Sequence, residues 1–191
     1  MNSIIPLIKE LERVYDLLST KFELKHDRPI ITIQTKGREK TLGWFSNNRW
    51  QHDKKEIGEI NICAENLNKD PIETLIHEMV HYSNTCDKID DCNSNGYHNK
   101  DFKKKAETYG LNVEKMGRHG WGFTKLSENL DKQLKELKID YKIFELFRKE
   151  SLRITAPTKM KKYRCTCTTV RCATDLQATC KKCGKEFATE E

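Results

Sequence analysis

Thr74-Leu75-Ile76-His77-Glu78-Met79-Val80-His81-Tyr82 is the stretch on which every other reading of this chain depends. Residues i and i+4 of an α-helix share a face one turn apart, so on a helix His77 and His81 aim two imidazoles at one point. Glu78 follows the first histidine and lies beside that point without having to occupy it. It is placed there to take a proton from a water polarised by a bound cation. Leu75, Ile76, Met79 and Val80 cover the remaining faces and give the helix a dry side. The plainer alternative is a helix that carries two core or surface histidines.

Working outward, Asn68 to Glu73 reads as a helix start, with Asp70 as cap and Pro71 at the first helical position. The helix is predicted from about Pro71 to Tyr82 or a little further. Upstream, Ile4, Ile5, Leu7, Ile8, Leu11, Val14, Tyr15, Leu17 and Leu18 predict an amphipathic helix over Ser3 to Phe22, with Pro6 in its first turn. Three strands are predicted next, over Ile30–Thr35, Leu42–Phe45 and Ile57–Ile62. The third has two readings: an exposed edge able to pair with a substrate backbone, or an ordinary half-buried strand. Downstream, Ser83 to Tyr97 is a polar loop, and Asn99 to Tyr109 is a second helix ending at Gly110. Met116 to Phe123 reads as a turn-rich connection. Leu126, Leu130, Leu134, Leu137, Tyr141, Phe144 and Phe147 suggest one or two core-packing helices up to about Leu152.

His77-Glu78-Met79-Val80-His81 is the H-E-x-x-H pattern of zinc metallopeptidases. A catalytic zinc takes three protein ligands and keeps a position for water. A metzincin would place its third histidine at position 87 and a glycine at 84, but those residues are Asp87 and Asn84. His98, where a loop meets a helix, is the favoured third ligand. Glu107 is the alternative, in the long-spaced gluzincin manner.

Five of the eight cysteines crowd into residues 165–183. Cys180-Lys181-Lys182-Cys183-Gly184 is a zinc-knuckle turn, and Cys165-Thr166-Cys167 lies about thirteen residues before it. The favoured ligand set is Cys165, Cys167, Cys180 and Cys183, with Cys172 able to replace one of the first two; free thiols are the alternative. Cys63, Cys86 and Cys92 read as isolated thiols, with a Cys86–Cys92 metal or redox pair as a lesser reading. Lys159, Lys161, Lys162, Arg164, Arg171, Lys181, Lys182 and Lys185 flank the cluster and suit phosphate contact, with Tyr163 and Phe187 available for stacking. Recognition of a protein, or bracing of the core, suits the same tail equally well. Pro157 and the lysines after it mark the linker.

The 191 residues suit one domain and a small appendage, and the formal charge of +6 permits a nucleic-acid partner without demanding one. No apolar run reaches membrane-spanning length and no signal sequence opens the chain, so a cytoplasmic location and no membrane partner are expected. In that reducing compartment, clustered cysteines read as metal ligands.

Three segments resemble the SprT-like zinc metallopeptidases, the family that includes the Spartan proteases of DNA–protein crosslinks. They are Thr74–His81, close to that family's T-L-x-H-E-M-x-H; Gly96-Tyr97-His98-Asn99-Lys100-Asp101-Phe102, similar to its third-ligand segment; and the four-cysteine ribbon after the core. Asn99 departs from the glycine often found there. The resemblance implies an α+β fold: a zincin-like, minimal gluzincin-type core with helices and a small antiparallel sheet over residues 1–156, and a C-terminal zinc ribbon over 157–191. It further implies one catalytic zinc on His77, His81 and His98, Glu78 as general base, and one structural zinc. The substrate would be a protein or peptide, with DNA as a further partner of the basic tail. Tyr97, Tyr109 and His119 are candidate oxyanion stabilisers, each more simply structural. The competing expectation is a non-catalytic nucleic-acid-binding or regulatory zinc protein, but a structural site has no need of an acid at Glu78.

Overall fold

A computed structural model describes residues 3–35, 41–149 and 160–189. Two units result, Met1–Glu150 and Ser151–Glu191. The linker residues Pro157 and Lys159 lie outside the described residues, as do positions 150–152 at the end of the last expected helix.

In the first unit the apolar spacing produces α1 (Ile5–Lys21), which turns Leu7, Leu11, Val14, Tyr15 and Leu18 into the core. Strands β1 (Ile30–Gln34), β2 (Gly43–His52) and β3 (Lys55–Cys63) form one sheet in the order β1-β3-β2. Strand β3 is therefore central, not an exposed edge, and β1 and β2 flank it. The sheet is also mixed, not antiparallel throughout: β2 runs antiparallel to β3 and β1 runs parallel to it. A two-residue turn at Asp53 and Lys54, both left-handed with φ of 47° and 67°, forces the hairpin. β1 then takes the remaining side of β3. β2 extends seven residues beyond Phe45 because its far half is polar, exposed and broken by a bulge between Ser46 and Trp50, so no apolar alternation announces it.

Helix α2 (Pro71–Cys86) starts at Pro71 as expected, but Asp70 does not cap it with its side chain. Asp70 sits in the left-handed region, and its carbonyl takes the Thr74 amide and hydroxyl instead. Helix α3 (Lys100–Thr108) follows and ends on Gly110, which has a φ of +87°. The residues read as a turn-rich connection are instead a hairpin, β4 (Leu111–Met116) and β5 (Gly120–Leu126). α4 (Glu128–Glu136) is capped by the Ser127 hydroxyl. It stops before Lys138, which is left-handed, so Phe144 reaches the core from a 3-10 turn at Tyr141–Glu145 and not from a continuing helix.

Ile72, Leu75, Ile76, Met79 and Val80 of α2 are all at most 1 % exposed and pack with α1 and with Ile60 and Ile62 of β3 in one core. The opposite stripe of α2 is thereby left to face a cleft. The second unit is a three-stranded antiparallel sheet, β6 (Lys161–Arg164), β7 (Thr169–Cys172) and β8 (Ala188–Thr189), ordered β7-β6-β8. The molecule is thus α+β with small sheets. No helix among the described residues is long and apolar enough to cross a membrane.

Candidate metal centres

The cleft stripe of α2 is Thr74, His77, Glu78, His81 and Thr85, an i, i+3, i+4, i+7, i+11 series. Together with β2, β5 and the loop after α2 it lines a cleft of about 740 Å³. Glu78 is 6 % exposed there. His98 Nε2 lies 3.2 Å from His77 Nε2 and 3.1 Å from His81 Nε2. One donor atom from each of the three rings lies within 4.8 Å of the others, so they form a group able to hold a metal ion. Glu107, the alternative ligand, is exposed on α3 and faces Lys103 at 3.6 Å.

His98 is held in this position by main-chain bonds to the β4–β5 hairpin. Its amide donates to the His119 carbonyl at 3.1 Å, and its carbonyl accepts from the Trp121 amide at 3.0 Å. Such close passage is open only to glycine. A Cβ at Gly120 would stand 2.2 Å from the His98 carbonyl oxygen, and one at Gly122 would stand 2.5 Å from His98 Nδ1. The glycines that made this segment look like a turn are what allow a strand to run against a ligand. Asn99 is the N-cap of α3, its side chain accepting from the Asp101 and Phe102 amides. Phe102, fully buried, then lies under all three imidazoles, with ring centres 4.7, 4.7 and 4.5 Å from those of His77, His81 and His98.

Each ring also has a partner at its outer nitrogen. His77 Nδ1 is 3.2 Å from the Thr124 hydroxyl, His81 Nδ1 is 3.0 Å from both Asp91 oxygens, and His98 Nδ1 is 3.2 Å from the His119 carbonyl. Asp91 and a carbonyl can only accept, which puts the protons of His81 and His98 on Nδ1 and leaves the Nε2 lone pairs facing inward. Thr124 in turn donates to Glu73, whose pKa is raised by burial. Burial and the neighbouring imidazoles hold His77 well below the usual histidine range, and burial, then His81, pull His98 down to about 4. Burial also opposes charge on His81, but the Asp91 hydrogen bond and the Glu78 and Asp91 charges outweigh it, and its pKa is raised.

Asp91, Thr124 and Gly122 had no signal in the spacing of the motif, whereas Phe102 closes the segment that resembles the third-ligand motif. Of the candidate oxyanion groups, Tyr109 is buried and stacked on Phe22 at 4.2 Å, outside the cleft lining. His119 lines the cleft, and Tyr97 packs beside Gly120.

In the second unit, Cys165, Cys167, Cys180 and Cys183 present four sulfurs within 4.8 Å of one another. Cys167 Sγ is 3.6 Å from Cys165 Sγ and 3.5 Å from Cys180 Sγ. Cys172 is not in the group; it pairs with Lys161 at the end of β7. The knuckle closes through Gly184, left-handed at φ +70°, whose amide donates to the Cys180 carbonyl at 2.8 Å. Backbone amides of Cys183 and Lys182 lower the Cys180 pKa, and the Thr166 side chain and the Lys185 amide bring Cys183 down to about 6. Tyr163 is buried at 3 % exposure and donates to Asp175, so it is not available for stacking. Cys63 is buried, Cys86 half-buried and Cys92 exposed; all three lie outside the two donor groups, and none is in a disulfide. No protein-family model matches the chain, and no curated protein or solved structure matches it either.

Proposed function

We propose that the cleft is the active centre of a zinc-dependent endopeptidase of the SprT-like type, in a zincin-like core followed by a zinc ribbon. One observation carries the reading: three imidazole Nε2 atoms converge in a cleft that Glu78 also lines. The donor set fits a divalent cation. The inward-facing nitrogens of His81 and His98, 3.1 Å apart, are close enough to share one cation. Three nitrogens at about 2.0–2.1 Å from a tetrahedral zinc would stand roughly 3.3 Å apart, close to the spacing found here. Four thiols grouped about a knuckle fit a structural zinc in the same way.

Zinc held by His77, His81 and His98 would supply a Lewis acid for the scissile carbonyl. The chain's own residues account for the remaining requirements. Glu78 takes the proton of the attacking water and passes it to the leaving amine. Phe102 keeps water out from beneath the imidazoles. Strand β2 runs past the site with one edge unpaired among the described residues and can add an extended peptide to it. A Cβ at Gly43 would stand 3.4 Å from Glu78 Cγ, so the edge passes directly beside the base. Arg171, Lys181, Lys182 and Lys185 are exposed on the tail and support a substrate held on DNA.

Casein or histone cleavage, with and without DNA and a chelator, tests the reading. Glu78→Gln is expected to lower the rate by about 10²–10⁴-fold while metal content stays the same. Equal cleavage by wild type and Glu78→Gln removes Glu78 from the mechanism.

A further inference from the structure

We propose that Asp91 is a positioning residue that sets two of the three imidazoles at once and thereby fixes how tightly the cleft holds its cation. The inference rests on the metal-binding half of the function proposed above and not on peptide hydrolysis.

In the sequence Asp91 is one more polar residue of an irregular loop. In the structure it is 7 % exposed, and both carboxylate oxygens lie 3.0 Å from His81 Nδ1. One of those oxygens also accepts from Asn84 Nδ2 at 2.8 Å. Asn84 lies three residues after His81 on α2 and is itself 1 % exposed. The main chain of Asp91 does a second job: its carbonyl accepts from the Asn99 amide at 3.0 Å, one residue past His98. The next residue, Cys92, is bridged to His98 in antiparallel fashion. Asp91 therefore links α2, through His81 and Asn84, to the segment that delivers His98. The loop between these ligands is closed at both ends by one residue.

Bracing a loop needs only a polar side chain. A buried carboxylate does more, because it accepts the Nδ1 proton of His81, fixes the tautomer and raises the basicity of Nε2 toward a cation. The two roles separate on substitution. Asp91→Ala removes both side-chain roles and keeps only the main-chain bond to Asn99. Asp91→Asn keeps an oxygen for His81 and removes only the charge. Asn84 Oδ1 has no hydrogen-bond partner, so the Asn84 amide can turn over and accept from the introduced NH₂ group.

The test is a cobalt(II) titration of the full chain, wild type against Asp91→Ala and Asp91→Asn. Thiolate-to-cobalt charge transfer marks the four-cysteine group and serves as an internal reference, while ligand-field bands without it mark the histidines. Asp91→Ala is expected to weaken the histidine site by about 10–100-fold and leave the thiolate bands unchanged. The hydrogen-bonded His81 imidazole N–H proton, shifted downfield in NMR spectra, is expected to vanish in Asp91→Ala and to survive in Asp91→Asn, which should lose affinity only several-fold. If Asp91→Ala does not fold, Asp91→Asn carries the test. A wild-type histidine band with affinity unchanged in the variant that folds overturns the role of Asp91. Absence of that band in the wild type overturns the metal-centre reading, and this inference with it.

Discussion

The two donor groups of this chain solve the same problem by opposite means. The imidazoles at positions 77, 81 and 98 come from a helix and a loop, stand on an apolar ring, and are each held from behind by a separate polar partner. Their cleft is open on one side and contains an acid that is not in the donor group. The sulfurs at 165, 167, 180 and 183 come from two tight turns on short strands, are oriented by backbone amides, and number four. Four ligands close a coordination sphere, whereas three leave room for chemistry. A metal on the four sulfurs would staple a short sheet with few buried side chains; a helix in a full hydrophobic core needs no such staple.

Cys183→Ser should separate the two groups most sharply. A structural zinc on these thiols would supply on the order of 10 kcal/mol of folding energy to so small a unit, so residues 160–189 are expected to unfold while the first unit stays intact. Heteronuclear NMR would report this as collapse of the tail resonances alone; collapse of both sets would end the idea that only the tail is metal-stapled. The converse cut is Phe102→Ala. It should destabilise the first unit by about 3–5 kcal/mol in denaturant unfolding and loosen the cleft metal, with no change in the tail.

Acidity separates them next. In the metal-free chain His98, with a pKa of about 4 against 6.5 for an unperturbed ring, and His77, also depressed, are neutral when folded and take protons more readily when unfolded. Stability of the first unit should therefore fall as pH drops from about 6.5 toward 4, with His81 opposing in part. In the tail, studied with metal bound, the thiols must give up their protons, and Cys183, at about 6 against 9, places the rise in stability of the loaded tail between pH 6 and 9 instead. Thermal melts of the two units across pH would show two offset windows, and coincident windows would count against this contrast. The smallest effect concerns Asn99. Its replacement by alanine removes a cap and should cost about 1 kcal/mol, measured by urea unfolding, with His98 still delivered by its main-chain bonds to the hairpin.

Much of this was legible in the residue pattern, for a definable reason. Apolar spacing placed α1 and α2 to within a few residues, since burial of one helical face follows directly from a 3.6-residue repeat. The pattern failed at the β4–β5 hairpin, where glycines needed for contact with His98 imitate a turn, and in β2, whose far half buries nothing. It also overextended α4, because leucines and aromatics at three- and four-residue steps pack into the core from a 3-10 turn as readily as from a helix. Tyr163 departs from its sequence expectation for the same kind of reason. Nothing local reveals that a strand residue's ring turns inward onto Asp175.

Short-range spacing alone prescribes that His77 and His81 share a helical face and that Cys180 and Cys183 share a knuckle, because neighbouring residues on a regular backbone have little freedom in where they point. The meeting of His98 with the 77/81 pair, the central place of β3 between β1 and β2, and the Asp91, Thr124 and His119 partners behind each ring emerged from the folded chain. Those contacts join residues 10 to 47 positions apart. No local rule reaches that far, and packing of the whole core determines which distant segments meet.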